Sequence, residues 1–317
     1  MIYYLDVSYN QPKFDEFASW SANAITFATS NTVGSFPYSI FVNTNNTVFV
    51  VNRVNNLIQI WDDKSINPTK TLARNLSTPR NIFVTVNGEI YVGINGINNQ
   101  VEKWNSSTNT SIIAMYVGGI CSGLFVAVNN VLYCSVRTLH QVVSKSLNIV
   151  SNAMAVVAGT SCHGSNATQL NQPYGIFVDT NLDLYVADSG NNRIQLFPSG
   201  QLDGITVAGI GSINITISLN FPSGIVLDGN KYLFIVDYGN NRIVRSSSSG
   251  FQCIVGCYGS GSASNQLNGP SIMAFDSHGN IFVVDRRNSR VQKFLLLNST
   301  LRKYHGIQYR SEQSSDG

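Results

Sequence analysis

Three acidic and basic pairs stand out for their residue types and spacing: Asp188 with Arg193, Asp237 with Arg242, and Asp285 with Arg290, each five positions apart. A carboxylate opposite a guanidinium accepts paired hydrogen bonds, and one such pair in a cleft is a candidate acid–base or anion site. Three pairs at one spacing read differently. Catalysis needs a single site, whereas a device that locks a loop can serve every copy of a repeat, so the expected role is structural. The four histidines, His140, His163, His278 and His305, are the residues to weigh for metal chemistry. His140 falls in a loop between strands, His278 in a turn at the opposite end of its strand and His305 in a polar tail, so convergence is not expected. Nucleophile motifs, phosphate-binding loops and dinucleotide fingerprints are missing, and no catalytic residue, metal or cofactor is expected.

The five cysteines, Cys121, Cys134, Cys162, Cys253 and Cys257, have no zinc-ligand spacing. Cys253 and Cys257 lie too far apart to bridge along a regular strand but could join across a bulge or turn. Cys121 and Cys134 share one hairpin, where a simple two-residue turn would not set them opposite each other. Disulfides stay open at this point, and would favour an oxidising compartment.

The elements that must position these residues repeat. Gly175 to Phe197 reads as a strand (175–179), a polar turn, a strand (184–188), a four-residue loop and a strand (193–197), with a fourth strand at 205–208. Alignment on Ile176 gives equivalents at Ile40, Ile82, Leu124, Ile225 and Met273, at spacings of 42, 42, 52, 49 and 48 residues. Proline enters the first strand in five copies, as Pro37, Pro79, Pro173, Pro222 and Pro270, and Cys121 takes that place in the third. Four strands every 40 to 50 residues predict an all-β, six-bladed propeller. The sixth copy lacks a fourth strand, and residues 24–28 resemble the fourth strands elsewhere, so an N-terminal strand is expected to close the ring. The expected division is an N-terminal extension (1–23), a propeller (24–297) and a polar C-terminal tail (298–317), disordered from 311.

Pro173-Tyr-Gly-Ile-Phe-Val-Asp179, Tyr185-Val-Ala-Asp188 and Asn191-Asn-Arg-Ile-Gln195 resemble the NHL repeat. The copy at 237–242 is nearly as close, and the one at 285–290 keeps the Asp/Arg pair. The first three copies keep the apolar strands but lose the pair: Asn52 and Leu57, Ile94 and Gln100, Val136 and Gln141 hold its places. The resemblance spans roughly residues 24 to 297 and implies a monomeric propeller whose relatives include binding platforms, ubiquitin-ligase recognition modules, RNA binders and a histidine-metal lyase.

In such a disc the loops entering the first strands and those between second and third strands share one face. The residue after the Pro position runs Tyr38, Arg80, Ser122, Tyr174, Ser223 and Ser271; the residue after the Asp position runs Arg53, Asn95, Arg137, Ser189, Tyr238 and Arg286. Tyr38, Arg53, Arg80, Arg137, Tyr174, Tyr238 and Arg286 are therefore the candidate ligand-binding residues, of types enriched at binding hot spots and suited to phosphate, carboxylate or sulfate. The expected function is a non-catalytic binding module for a protein, peptide or anionic ligand. Its rivals are substrate recognition for a ubiquitin ligase, RNA binding, and a metal-dependent lyase or hydrolase.

Composition bounds the rest. Of 317 residues 43% are apolar and 12% charged, and the net charge of +3 speaks against a nucleic-acid partner. Residues 1–23 lack a secretory pattern and no apolar run reaches a membrane span. Seven glycosylation triplets, at Asn45, Asn75, Asn105, Asn109, Asn166, Asn214 and Asn298, lean toward an extracellular chain, although roughly six arise by chance in so Asn/Ser/Thr-rich a sequence. A cytosolic location is the alternative.

Overall fold

A computed structural model describes residues 7–72, 76–96, 99–149, 153–212 and 216–298. Six four-stranded antiparallel sheets follow one another along the chain. Blade four is representative: Ile176–Val178, Leu184–Asp188, Arg193–Phe197 and Ile205–Gly209 pair in sequence order. The first strands of neighbouring blades contact one another all the way round, the sixth touching the first, which makes the assembly a closed six-bladed propeller. Ile25–Ala28 pairs with Arg290–Phe294 as the outer strand of blade six, so both ends of the chain build that blade. That closure leaves no open seam between first and last blades.

Burial follows the layering. Inner strands such as Pro37–Val42 and Leu233–Asp237 are buried at every position, because sheets pack on both of their faces. Outer strands such as Ile205–Gly209 are exposed at the start and buried only at the end.

One local irregularity recurs around the ring. In five blades the register of the first hairpin slips just after the Pro position, between Pro37 and Ser39, Pro79 and Asn81, Cys121 and Gly123, Pro222 and Gly224, and Pro270 and Met273. A bulge leaves its extra residue unpaired and re-aims that side chain. Tyr38, Arg80, Ser122, Ser223 and Ser271 occupy those slips. The bulge also changes the cysteine expectation. Cys134 faces Leu124 and Cys121 faces Val136, a diagonal pair, yet their Cα atoms are 5.6 Å apart and they form a disulfide. An unbulged diagonal would span about 7–8 Å. Cys253 and Cys257 also join, with Cα atoms 5.9 Å apart, because Gly256 at φ +72° turns the chain back after the strand. Cys162 is free and exposed.

Residues 7–23 are the part of the chain that repeat reasoning left unplaced. They run across the face opposite the Pro-entry loops. Tyr9 sits edge-on to Phe125 and Phe177, each 5.4 Å away between ring centroids, within a rosette of first-strand phenylalanines that also holds Phe83. The Asn10 amide donates to the carbonyls of Asn43 and Phe275. Phe14, fully buried, packs against Trp20, Phe234 and Phe275, a burial worth about 1.5–3 kcal/mol. Arg245, also fully buried, lies 4.4 Å from the Tyr232 ring centroid and donates to the Asp15 carbonyl at 2.7 Å. Ser19–Trp20 then pairs with Leu296–Asn298. The sequence from 299 onward, with His305 and the expected tail, lies outside the described residues, as do Asn75 and Asn214.

Candidate functional site

The Asp/Arg pairs resolve first. Asp188, Asp237 and Asp285 are fully buried, and each accepts the Nε–H of its arginine, at 2.7, 2.9 and 2.7 Å. The rest of the Arg193 fork donates to the carbonyls of Ser165, Asn166 and Gln169 in the loop that enters blade four. Arg290 repeats this on Ser262, Ala263 and Gln266, and Arg242 reaches Ser218. The second oxygen of each carboxylate takes the backbone N–H of Asn171, Asn220 or Asn268. Each pair thus clamps the incoming loop to its blade. Burial pushes the Asp188 carboxyl up, against the pull of the Asn171, Asn191 and Arg193 donors.

All seven candidate ligand residues line one cavity of about 260 Å³ at the centre of the Pro-entry face. Tyr38 and Arg80 reach it from bulges, and Tyr174 from the equivalent place in blade four. Arg53, Arg137, Tyr238 and Arg286 reach it from the turns between second and third strands. Ser189, Ser223 and Ser271 complete the wall. Asn95 and Ser122, at equivalent repeat positions, are not part of it. Phe221 joins the rim, half exposed and held at φ +47°; the sequence offered no signal for it beyond standing before Pro222.

The Tyr38 and Tyr174 hydroxyls hydrogen-bond across the axis and form the floor. Arg80, 92% withdrawn from solvent, donates to the Tyr38 hydroxyl at 2.7 Å, while its Nε–H is buried without a partner among the described residues. Arg286 lies 4.7 Å from the Tyr38 ring centroid, and its Nε–H likewise has no partner among them. Arg137 stands 5.9 Å from the Tyr174 ring and donates to Gln172 Oε1 at 2.6 Å. Among the described residues no carboxylate lines the cavity. Desolvation lowers the Arg80 pKa, and the neighbouring Arg53 and Arg137 charges lower it further, against the pull of the Tyr38 and Tyr174 hydroxyls. Desolvation, followed by Tyr38, raises the Tyr174 hydroxyl well above its ordinary range. Below the floor the axis narrows to a void of about 30 Å³ and then an apolar one of about 80 Å³ closed by Tyr9 and Asn10. The mouth is a cup.

The NHL repeat matches residues 170–197 and 267–294. The chain carries NHL repeats. No curated protein matches it. Among solved structures, the chain is similar to a Bacteroides thetaiotaomicron protein of unknown function (12% identity, TM-score 0.70, 87% of this chain and 76% of the other). It is similar to a gluconolactonase from Xanthomonas campestris (13%, 0.64, 92% and 96%) and to virginiamycin B lyase from Staphylococcus aureus (14%, 0.57, 86% and 98%). At these identities the likeness is one of fold.

One pair of histidines is brought together by the fold. His140 and His163 come together, with ring centroids 5.5 Å apart beside the mouth, because the loop before blade four folds back over the turn that holds His140. His278 remains apart, in its turn. Among the described residues no three His, Cys, Asp or Glu side chains are grouped as metal ligands, and no helix is long and apolar enough to cross a membrane. Of the glycosylation triplets, Asn45, Asn105 and Asn166 are exposed, Asn109 is half-buried, and Asn298 pairs with Ser19 in a strand.

Proposed function

We propose that the chain is a non-catalytic binding module that engages an anionic group of a protein or peptide in the Arg/Tyr mouth. One observation carries the reading. Arg53, Arg80, Arg137 and Arg286 converge on a single cup without a carboxylate among the described residues of its wall. Guanidiniums kept this close and uncompensated are costly unless an anion joins them, and their forks suit a bidentate oxyanion. The closed floor favours a ligand that docks from outside over one that threads the axis. The two disulfides fit an oxidising compartment, where a secreted or cell-surface partner would meet the mouth.

The test is calorimetry with inorganic sulfate and a glutamate-rich peptide as probes. Replacing Arg53, Arg137 and Arg286 together with Ala is expected to weaken binding by about 100-fold or more, as loss of several hydrogen bonds to a charged group would. The melting temperature should hold. Unchanged binding by the triple variant would remove this face from consideration.

A further inference from the structure

The blades are joined above the core by a repeated hydrogen bond. The turn after the second strand of every blade holds a left-handed residue; outside blade two, where it is Asn99, that residue is Asn56, His140, Asn192, Asn241 or Ser289, at φ between +52° and +56°. Its side chain accepts the backbone N–H of the residue just before the next blade's proline. Asn56 does so at 2.9 Å, Asn192 and Asn241 at 2.8 Å and Ser289 at 3.4 Å. At the junction of blades three and four the acceptor is His140 Nδ1, which takes the Gln172 N–H at 3.1 Å. Asparagine and serine do not titrate. Histidine does, within the physiological range.

We propose that His140 is a protonation-sensitive positioning residue for the mouth, acting on Arg137 through Gln172. Accepting the Gln172 N–H requires a lone pair on Nδ1, so the ring is neutral and carries its proton on Nε2. Protonation puts an N–H on Nδ1, facing another N–H, and the bond is lost. Gln172 sits at φ +50°, a conformation uncommon for its type, and its Oε1 holds the Arg137 fork at 2.6 Å. The preceding Asn171 stays fixed, its N–H held by Asp188 at 2.6 Å. Release is therefore confined to Gln172 and the arginine it carries.

The groups that act on His140 come from two elements. His163 faces it from the loop before blade four, and Asp188 acts from the second strand of that blade. Desolvation and His163 lower its pKa, with Asp188 opposing. The clasp is thus closed at neutral pH and opens on acidification below the ordinary histidine range of about 6.5.

This inference rests on the mouth as an anion site, and two readouts separate them. Sulfate keeps its charge between about pH 8 and pH 5 and serves as the probe; over that range wild-type affinity is expected to fall at least about five-fold, the worth of one positioned hydrogen bond. His140→Asn, which copies the neighbouring blades, should bind sulfate with no such decline. In sulfate-free protein, hydrogen exchange at the Gln172 amide, corrected for intrinsic rate, should lose protection in acid in the wild type and not in H140N. Matching pH profiles in the two proteins would overturn the proposal, as would pH-independent protection of the wild-type amide. Acid-sensitive protection without sulfate binding would leave the clasp standing and remove the mouth reading.

Discussion

Blades one to three and blades four to six share their strand order and, blade four apart, the bulge after the Pro position, yet use equivalent positions for different ends. In the later half, Asp188, Asp237 and Asp285 are buried and bound to arginines that hold the incoming loops. In the earlier half those places hold Asn52, Ile94 and Val136, also buried. The mouth reverses the pattern. Three of its four arginines, Arg53, Arg80 and Arg137, come from the earlier half, and only Arg286 from the later. Where the repeat is most regular its charges are internally satisfied. Where it has drifted, charges are left facing the axis.

The contrast can be broken most sharply at blade four. Asp188→Ala leaves Arg193 buried without its carboxylate and should cost about 3–5 kcal/mol, read as a lowered denaturation midpoint; a loss below about 1 kcal/mol would deny the pairs their structural role. By the same logic, the Arg53/Arg137/Arg286 alanine variant should lose ligand without losing stability, and a stability loss as large as that of D188A would erase the distinction between the halves.

A subtler test installs the repeat's usual residue where it is absent. Asn52 donates its amide to the carbonyls of Val33 and Ser35 while its Oδ1 accepts the Asn55 N–H at 2.8 Å. Asn52→Asp, although it restores the pattern of the later blades, sets a carboxylate against two carbonyls and should destabilise by about 1–3 kcal/mol. A stabilised N52D would show that the early blades are merely degenerate copies.

A pH slope in blade five offers a further test. Burial raises the Asp228 carboxyl from 3.8 to about 6, against the Tyr232, Asn230 and Phe14 amides and Arg245. A raised folded pKa means the folded protein holds the proton more tightly than the unfolded chain, so stability is full below 3.8 and declines as pH rises through about 6. Asp228→Asn should flatten that decline in thermal melts taken across the same window; an unchanged slope would assign it to other groups.

The Asp/Arg register, the six copies and the closing strand were legible because they are local or periodic: a four-residue loop makes Asp188 face Arg193 whatever lies around it. The bulge was not legible, since no residue type announces it, and with it went the Cys121–Cys134 bond. The pairing of His140 with His163 was missed for a related reason, that it depends on how a non-repeating loop folds back.

By itself, then, the sequence determined the propeller and most of the side chains that share its mouth, because rotational repetition converts a position in the period into a position around the axis. The tertiary structure alone decided the closed tyrosine floor, the segment from Tyr9 to Trp20 that seals the far side, and the histidine in one inter-blade clasp. Each rests on contacts such as Asn10 with Phe275, 265 residues apart, whose partners follow no period and are selected only when the disc has closed.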